Sequence, residues 1–192
     1  MEMQKPDDTG SERTGRLSAS DWIAHGMSEL SMRGHGALRA DTMARTLGVS
    51  RGSFYWHFAD VRAYHLAIIA AWRREATEGV IERLATDSPA ETRLLALLSR
   101  AFDADTTLER RMRAWAVEDA EAASAIAETD LMRRAYLAEL IAAAGLAPDV
   151  AKTRADLIYC AYLGTVMENG PRLPATVASR ITALRAFALG AT

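Results

Sequence analysis

The sequence predicts an all-α protein, and three observations carry that prediction. Alanine supplies 38 of the 192 residues, and this strongest helix former outweighs 12 glycines and 5 prolines. Apolar residues recur at helical spacing, as in Ile23, Met27 and Leu30 beside Trp22. No segment shows the strict alternation of a half-buried strand, and no Asn-Gly hairpin turn occurs. At this length the chain can form one or two domains with a sizeable core.

The elements follow in order. Residues 1–16 mix Pro, Gly, Ser, Thr and both charge signs with almost no apolar content, so a disordered tail is expected there. Ser18 and Asp21 have capping-box spacing, with Leu17 placed to staple the first turn of a helix that ends at Gly34-His35-Gly36. A second helix is expected over about 40–47, with Met43, Ala44 and Leu47 on one face. Gly48 stands where a left-handed residue closes a helix, and Ser50 is a natural N-cap for a short third helix, Arg51–His57. Phe54 and Phe58, four apart, face inward with Val49 leading in.

From Asp60 a long helical pattern runs to about Thr86, and Gly79 marks a kink or break in it. Ser88 and Pro89 read as the N-cap and first position of the next helix, in which Leu94, Leu95, Leu97, Leu98 and Phe102 are expected to be largely buried. Met112, Trp115 and Val117 form another apolar segment. A further helix spans about 125–144 and stops at Gly145. The last two are expected over Pro148–Asn169 and Ala175–Leu189, the latter after Pro171 and Pro174.

Several function classes recede. One cysteine, Cys160, supports neither an intrachain disulfide nor a cysteine-rich zinc site, and reads as a small buried hydrophobe in a reducing cytoplasm. The polar, acidic N-terminus resembles no secretory signal, and no apolar run reaches the roughly 18 residues of a membrane span. Neither Glu-x-x-His nor His-Glu-x-x-His occurs, so no metal and no cofactor are expected. Glu118, Asp119 and Glu121 read as a solvated helix face or helix end, and His65 as a satisfied core histidine. Gly48-Val49-Ser50-Arg51-Gly52 matches the Gly-x-Ser-x-Gly nucleophile elbow, but that elbow needs a preceding strand.

Two short helices joined by Gly48-Val49-Ser50 instead form a helix-turn-helix pattern, whose second helix enters the DNA major groove by its N-terminal end. Arg51, Ser53, Tyr55, Trp56 and His57 occupy the exposed face of that helix. Arg51 can present a fork to guanine O6 and N7. Ser50, Ser53, Tyr55 and His57 suit phosphate oxygens or base edges, and Gly52 lets the backbone come close. Three neighbouring aromatics cannot all face one way, so Tyr55 or Trp56 must be exposed. The net charge of −2 hides an asymmetry: residues 11–62 carry seven arginines against five acids, while 1–10 and 63–192 each sum to −2. Of the 23 basic residues 21 are arginine, so guanidinium groups would make nearly every cationic contact.

The run Ala44-Arg45-Thr46-Leu47-Gly48-Val49-Ser50-Arg51-Gly52-Ser53-Phe54-Tyr55-Trp56-His57-Phe58 resembles the DNA-binding signature of TetR-type transcriptional regulators. The resemblance implies a homodimer on a palindromic operator, acting as a repressor released by a small molecule. It places DNA contacts at Arg51, Gly52, Ser53, Tyr55, Trp56 and His57. Two positions depart from the family pattern. Arg39-Ala40 stands where a Thr or Ser usually starts the second helix, so that Arg39 reaches a phosphate but the hydroxyl cap is lost. Val61 replaces the usual Lys after His-Phe, with Arg62 adjacent as a substitute about 100° away around the helix.

The expected organisation is therefore a tail (1–16), a DNA-binding unit (17–62) and a helical ligand-binding and dimerisation unit (63–192). Trp72, Met112, Trp115, Tyr136, Tyr159 and Tyr162 are candidates for a pocket lining between helices. The family's last two helices form a four-helix dimer interface, to which the sequence assigns Leu157, Ala161, Gly164 and the Ile181–Leu184–Ala188 stripe. Two alternatives remain: a DNA-binding regulator controlled by a partner protein, and an enzyme built on a helical bundle. A continuous core without a cavity would favour the former; the latter needs a catalytic constellation that the sequence does not display.

Overall fold

In the computed structural model, residues 17–85, 87–168 and 173–190 are described. The expected tail at 1–16, and the expected helix end at Asn169 with the following Pro171, lie outside them. The described residues contain ten α-helices and no strands. Helix α1 (Ala19–Arg33) starts at a complete capping box: the Asp21 N–H donates to Ser18 Oγ, and the Ser18 N–H donates to Asp21 Oδ2 at 2.8 Å. It stops at Gly34, whose φ of 84° suits a residue without Cβ. A 3₁₀ turn (His35–Ala37) leads to α2 (Ala40–Thr46) and α3 (Arg51–Tyr55).

The chain expected as one long helix from Asp60 divides into α4 (Val61–Arg73), a π-turn (Arg74–Glu78) and α5 (Gly79–Leu84). The irregularity thus lies immediately before Gly79. Helices α6 (Ala90–Asp103) and α7 (Thr107–Trp115) follow. Pro89 is the N-cap of α6 rather than its first helical residue, so the helix begins one position later than Ser88-Pro89 suggested. Helix α8 (Ala120–Ala143) begins five residues before the expected start because the Asp119 carboxylate caps it, accepting from the Ala122 N–H. It closes before Gly145, at φ 106°. Helices α9 (Pro148–Met167) and α10 (Pro174–Leu189) complete the bundle.

Two apolar cores organise these elements. The first gathers Trp22, Leu30, Met43, Phe54, Tyr64 and Trp72 with Met112, Trp115 and Ile126, so α7 and the start of α8 pack beneath the N-terminal helices. Phe54 is at its centre, with edge-on contacts to Trp22 and Tyr64 at 5.4 and 5.2 Å between ring centres. Tyr64 donates to the Trp22 carbonyl at 2.8 Å, which satisfies its buried hydroxyl and ties α4 to α1. The second core joins Leu94, Leu98 and Phe102 of α6 to Leu137, Leu140 and Ile141 of α8, with Ala151, Ala155 and Ile158 of α9 and Ala188 of α10.

Some expected burial did not follow from apolar character. Leu95 and Val117 are exposed, since Leu95 lies off the α6 stripe and Val117 is in the α7–α8 connection. Cys160 is exposed rather than buried, because the inner face of α9 is taken by Ala155, Ile158 and Tyr159.

Candidate nucleic-acid interface and internal cavity

The turn between α2 and α3 is built by local rules. The Gly48 N–H donates to the Arg45 carbonyl and the Val49 N–H to the Ala44 carbonyl, a Schellman closure that requires Gly48 at φ 69°. The turn aims α3 outward while Val49, Phe54 and Phe58 anchor it to the first core. Ser50 occupies the N-cap position of α3, but its side chain makes no capping hydrogen bond. Arg39 stands likewise at the N-cap of α2 without a side-chain cap, and is exposed.

The exposed face of α3 carries Arg51, Tyr55 and Trp56. Trp56 is 74% exposed and Tyr55 44%, while Phe54 between α3 and the core is fully buried. Ser53 is half-buried. A Cβ on Gly52 would come no nearer than 3.7 Å to any atom, that of Ser50 Oγ, so the fold itself tolerates a larger residue there. His57 is half-buried at the helix end, and its Nε2 is buried with no hydrogen-bond partner. Arg51 is held on both sides: Nη2 donates to the Tyr55 hydroxyl at 3.1 Å and Nε lies 3.1 Å from Asp41 Oδ1. Asp41, on the first turn of α2, was not singled out from the sequence, because its pairing with Arg51 arises only when the turn brings α2 and α3 together.

Arg62, at the start of α4, donates through Nε to Glu121 Oε1 at 2.9 Å and remains largely exposed. Val61 beside it packs against the first core. Glu118, Asp119 and Glu121 surround the N-terminus of α8, where acidic groups meet the positive end of the helix dipole favourably, and Glu118 lies 3.4 Å from His35. His65 accepts the role expected of it: its Nε2 lies 3.0 Å from the Leu38 carbonyl, and its ring meets Trp115 edge-on.

A cavity of about 270 Å³ opens between α4–α5, α6, α7, α8 and α9. Trp72, Tyr136, Tyr159 and Tyr162 line it, together with Leu98, Phe102, Leu137 and Ile158. Met112 and Trp115 are not on its wall. Both are buried in the first core, where Trp115 stacks on His35.

One side of the cavity carries paired charges. Glu109 Oε1 accepts from Arg113 Nε and Arg133 Nη1, both at 3.0 Å, and Oε2 accepts from Arg133 Nη2 at 3.1 Å. Arg113 also grips Asp130 with two bonds of 3.1 and 2.7 Å, and Tyr159 donates to the same carboxylate at 2.6 Å. Burial disfavours the charged form of Asp130, yet the bonds from Arg113 and Tyr159 outweigh it and hold the carboxyl below its ordinary value. Arg133 Nε reaches Thr77 Oγ1 at 2.8 Å, and its guanidinium lies over Trp72. The π-turn, which contains Thr77, is thereby pinned to α8. Only the Glu109–Arg113 spacing of four hinted at this cluster in the sequence.

The proposed interface residues separate into two groups. Leu157 is 53% exposed, Ala161 is exposed, and nothing lies within 4 Å of a Cβ built on Gly164, so these three form an outward face of α9. The α10 stripe points the other way. Ala188 is fully buried, and Ile181 and Leu184 pack against the second core, because α10 uses that face to cover α6 and α9. Ala183 and Phe187 are among the residues on its outward side.

Among the described residues, no helix is long and apolar enough to cross a membrane, and no group of three or more His, Cys, Asp or Glu could hold a metal ion. No family model and no curated protein matches the chain. Solved structures do. A protein described as a TetR-family transcriptional regulator, from a Rhodococcus species, superposes with a TM-score of 0.68 at 20% identity, over 90% of this chain and 99% of the other. A TetR/AcrR-family regulator from Thermobifida fusca gives 0.59 at 17% identity, over 90% and 96%. AmtR of Mycobacterium smegmatis gives 0.52 at 18% identity, over 94% and 98%. Over about 90% of its length, this chain has the fold of the TetR/AcrR transcriptional regulators.

Proposed function

We propose that the protein is a sequence-specific DNA-binding regulator of the TetR type, acting in the cytoplasm as a homodimeric repressor that a small molecule releases from a palindromic operator. The observation that carries this reading is the α3 surface. A short helix, fixed by a Schellman turn and a buried phenylalanine, presents Arg51, Tyr55 and a largely exposed Trp56 to solvent. An isolated protein gains nothing from such exposure, whereas a DNA major groove accepts both the fork and the rings. Arg51 is the base-reading residue, steadied by Asp41 and Tyr55. Ser50, Ser53, Tyr55, Trp56 and His57 complete the contact surface with Gly52 as its closest backbone approach, and Arg39 reaches phosphate. Arg62 joins them when it exchanges Glu121 for phosphate.

The DNA-binding unit is residues 17–62 and the regulatory unit 63–192. Dimerisation uses the outward face of α9, with Leu157, Ala161 and Gly164, and the outward side of α10. The cavity supports control by a small molecule rather than by a partner protein. Its wall includes Ala76 and Thr77 of the π-turn, so a ligand there bears on the helix that starts at the DNA-binding unit. Helix α7 supplies a second link: Glu109 lines the cavity, while Arg111 donates to the Ser31 and Met32 carbonyls at the end of α1. The ligand favours a conformation whose two α3 helices no longer match successive major grooves about 34 Å apart.

The test is titration of double-stranded operator DNA by fluorescence anisotropy. Affinity is expected to fall linearly in log salt, and Arg51→Ala to weaken binding by about 1–3 kcal/mol while relaxing base preference locally. Salt-independent binding, or an Arg51→Ala protein with unchanged affinity, contradicts the reading.

A further inference from the structure

The charges around the cavity fix the chemistry of what it can hold. Arg113 and Arg133 are matched by Glu109 and Asp130, and each of the four makes charged hydrogen bonds to another. Of these four, Glu109 and Arg133 are on the wall; the other two charged wall residues, Arg100 and Asp105, are exposed and opposite in sign. The inner charges of the wall, Glu109 and Arg133, are thus paired with each other, and an ionic ligand in the interior would have to break that pair or enter without a buried partner. The rest of the wall is aromatic and aliphatic, with Trp72, Leu98, Phe102 and Ile158 prominent. A cavity of roughly 150 Å³ accommodates benzene; one of about 270 Å³ therefore matches two fused rings. Tyr159 already donates its proton to Asp130. The Tyr162 hydroxyl, by contrast, makes no hydrogen bond among the described residues. Burial, with Glu109 nearby, pushes its pKa up to about 12, so it stays a neutral donor.

We propose that the cavity binds an uncharged, largely apolar molecule about the size of two fused rings, carrying one hydrogen-bond acceptor that meets the Tyr162 hydroxyl. This deepens the effector site proposed above and depends on that reading for its regulatory meaning. The binding itself is measured without DNA, so failure of one does not imply failure of the other.

The experiment is calorimetric titration of the full-length protein with four naphthalene probes of similar size: 2-acetylnaphthalene, naphthalene-2-carboxylate, 2-naphthylmethylammonium and naphthalene. The neutral ketone is expected to bind at least tenfold more tightly than either ion. Tyr162→Phe should weaken the ketone about threefold to tenfold, the equivalent of one hydrogen bond, and leave naphthalene unchanged. Ala101→Trp, which fills the wall, should abolish binding of all probes, with its folding checked by circular dichroism. Should that variant fail to fold, Tyr162→Phe carries the test alone. Tighter binding of either ion, equal ketone affinity in Tyr162→Phe, or no binding of any probe would overturn the proposal. If the ketone binds but does not weaken operator binding, the ligand chemistry stands and the effector reading falls.

Discussion

Replacing Glu109 by glutamine removes one charge and almost no volume from the ion cluster beside the cavity. The side chain is 7% exposed and accepts three hydrogen bonds from two arginines. Removing one partner of a buried ion pair costs about 3–5 kcal/mol, because the remaining charge keeps its desolvation penalty. Arg113 retains two bonds to Asp130, so the loss falls mainly on Arg133, which keeps Thr77 Oγ1 and a longer bond to the Ala76 carbonyl. Glutamine also preserves one acceptor oxygen. Both features favour the low end, about 3 kcal/mol, which for a chain of this size lowers Tm by about 6–12 °C. Thermal unfolding followed at 222 nm, at one fixed protomer concentration, measures it. The paired change Glu109→Met with Arg133→Met removes both charges together and should recover most of the loss. A Tm within about 2 °C of the parent for Glu109→Gln, or a double variant less stable than Glu109→Gln, would refute the assignment of Glu109 as the anion on which Arg133 depends.

Two further outcomes follow from other parts of the structure. A Cβ on Gly26 would stand 2.6 Å from Ile68 Cδ1 and closer still to the Tyr64 hydroxyl. Gly26→Ala should therefore displace Tyr64 from the Trp22 carbonyl and destabilise the protein by about 2–4 kcal/mol, combining overpacking with one lost hydrogen bond; an unchanged urea midpoint would contradict the close α1–α4 contact. The second outcome concerns acid stability. Asp130 titrates below its ordinary 3.8 in the folded chain, so its contribution is present above about pH 4 and disappears as pH falls through the lowered folded value. The stability difference between the parent and Asp130→Asn should shrink over that acid range, and a pH-independent difference would rule the linkage out.

The parts of this molecule that were legible in the sequence are those that obey local rules. Ser18 with Asp21, and glycines 34, 48 and 145, mark helix ends because caps depend on a few adjacent residues. Phe54 and Phe58 were identifiable as inward-facing from their spacing, and the exposure of Tyr55 and Trp56 followed from there being no common face for three adjacent rings. What was not legible depends on partners distant in sequence. Helix α10 has apolar residues on several sides, so its pattern could not show whether Ile181, Leu184 and Ala188 or Ala183 and Phe187 face the core. Cys160 has the composition of a core residue and the position of a surface one. The links from Arg51 to Asp41, from Arg62 to Glu121, and from Arg133 to Thr77 join separate helices, and only folding reveals them. Trp115 illustrates the same limit for the cavity, since a tryptophan at helical spacing can fill a core as readily as line a pocket.

In the proposed dimer the α3 surface reads DNA as a symmetric pair. Selection of bound sequences from a pool of random duplex DNA, using the full-length protein, tests it most directly. The expected result is enrichment of a palindrome whose half-sites lie about one helical turn apart, 10–10.5 base pairs centre to centre or a multiple of it. Arg51→Ala should lose preference at a guanine within each half-site. A pool that remains unenriched after repeated rounds, or that enriches only asymmetric sites, would contradict it.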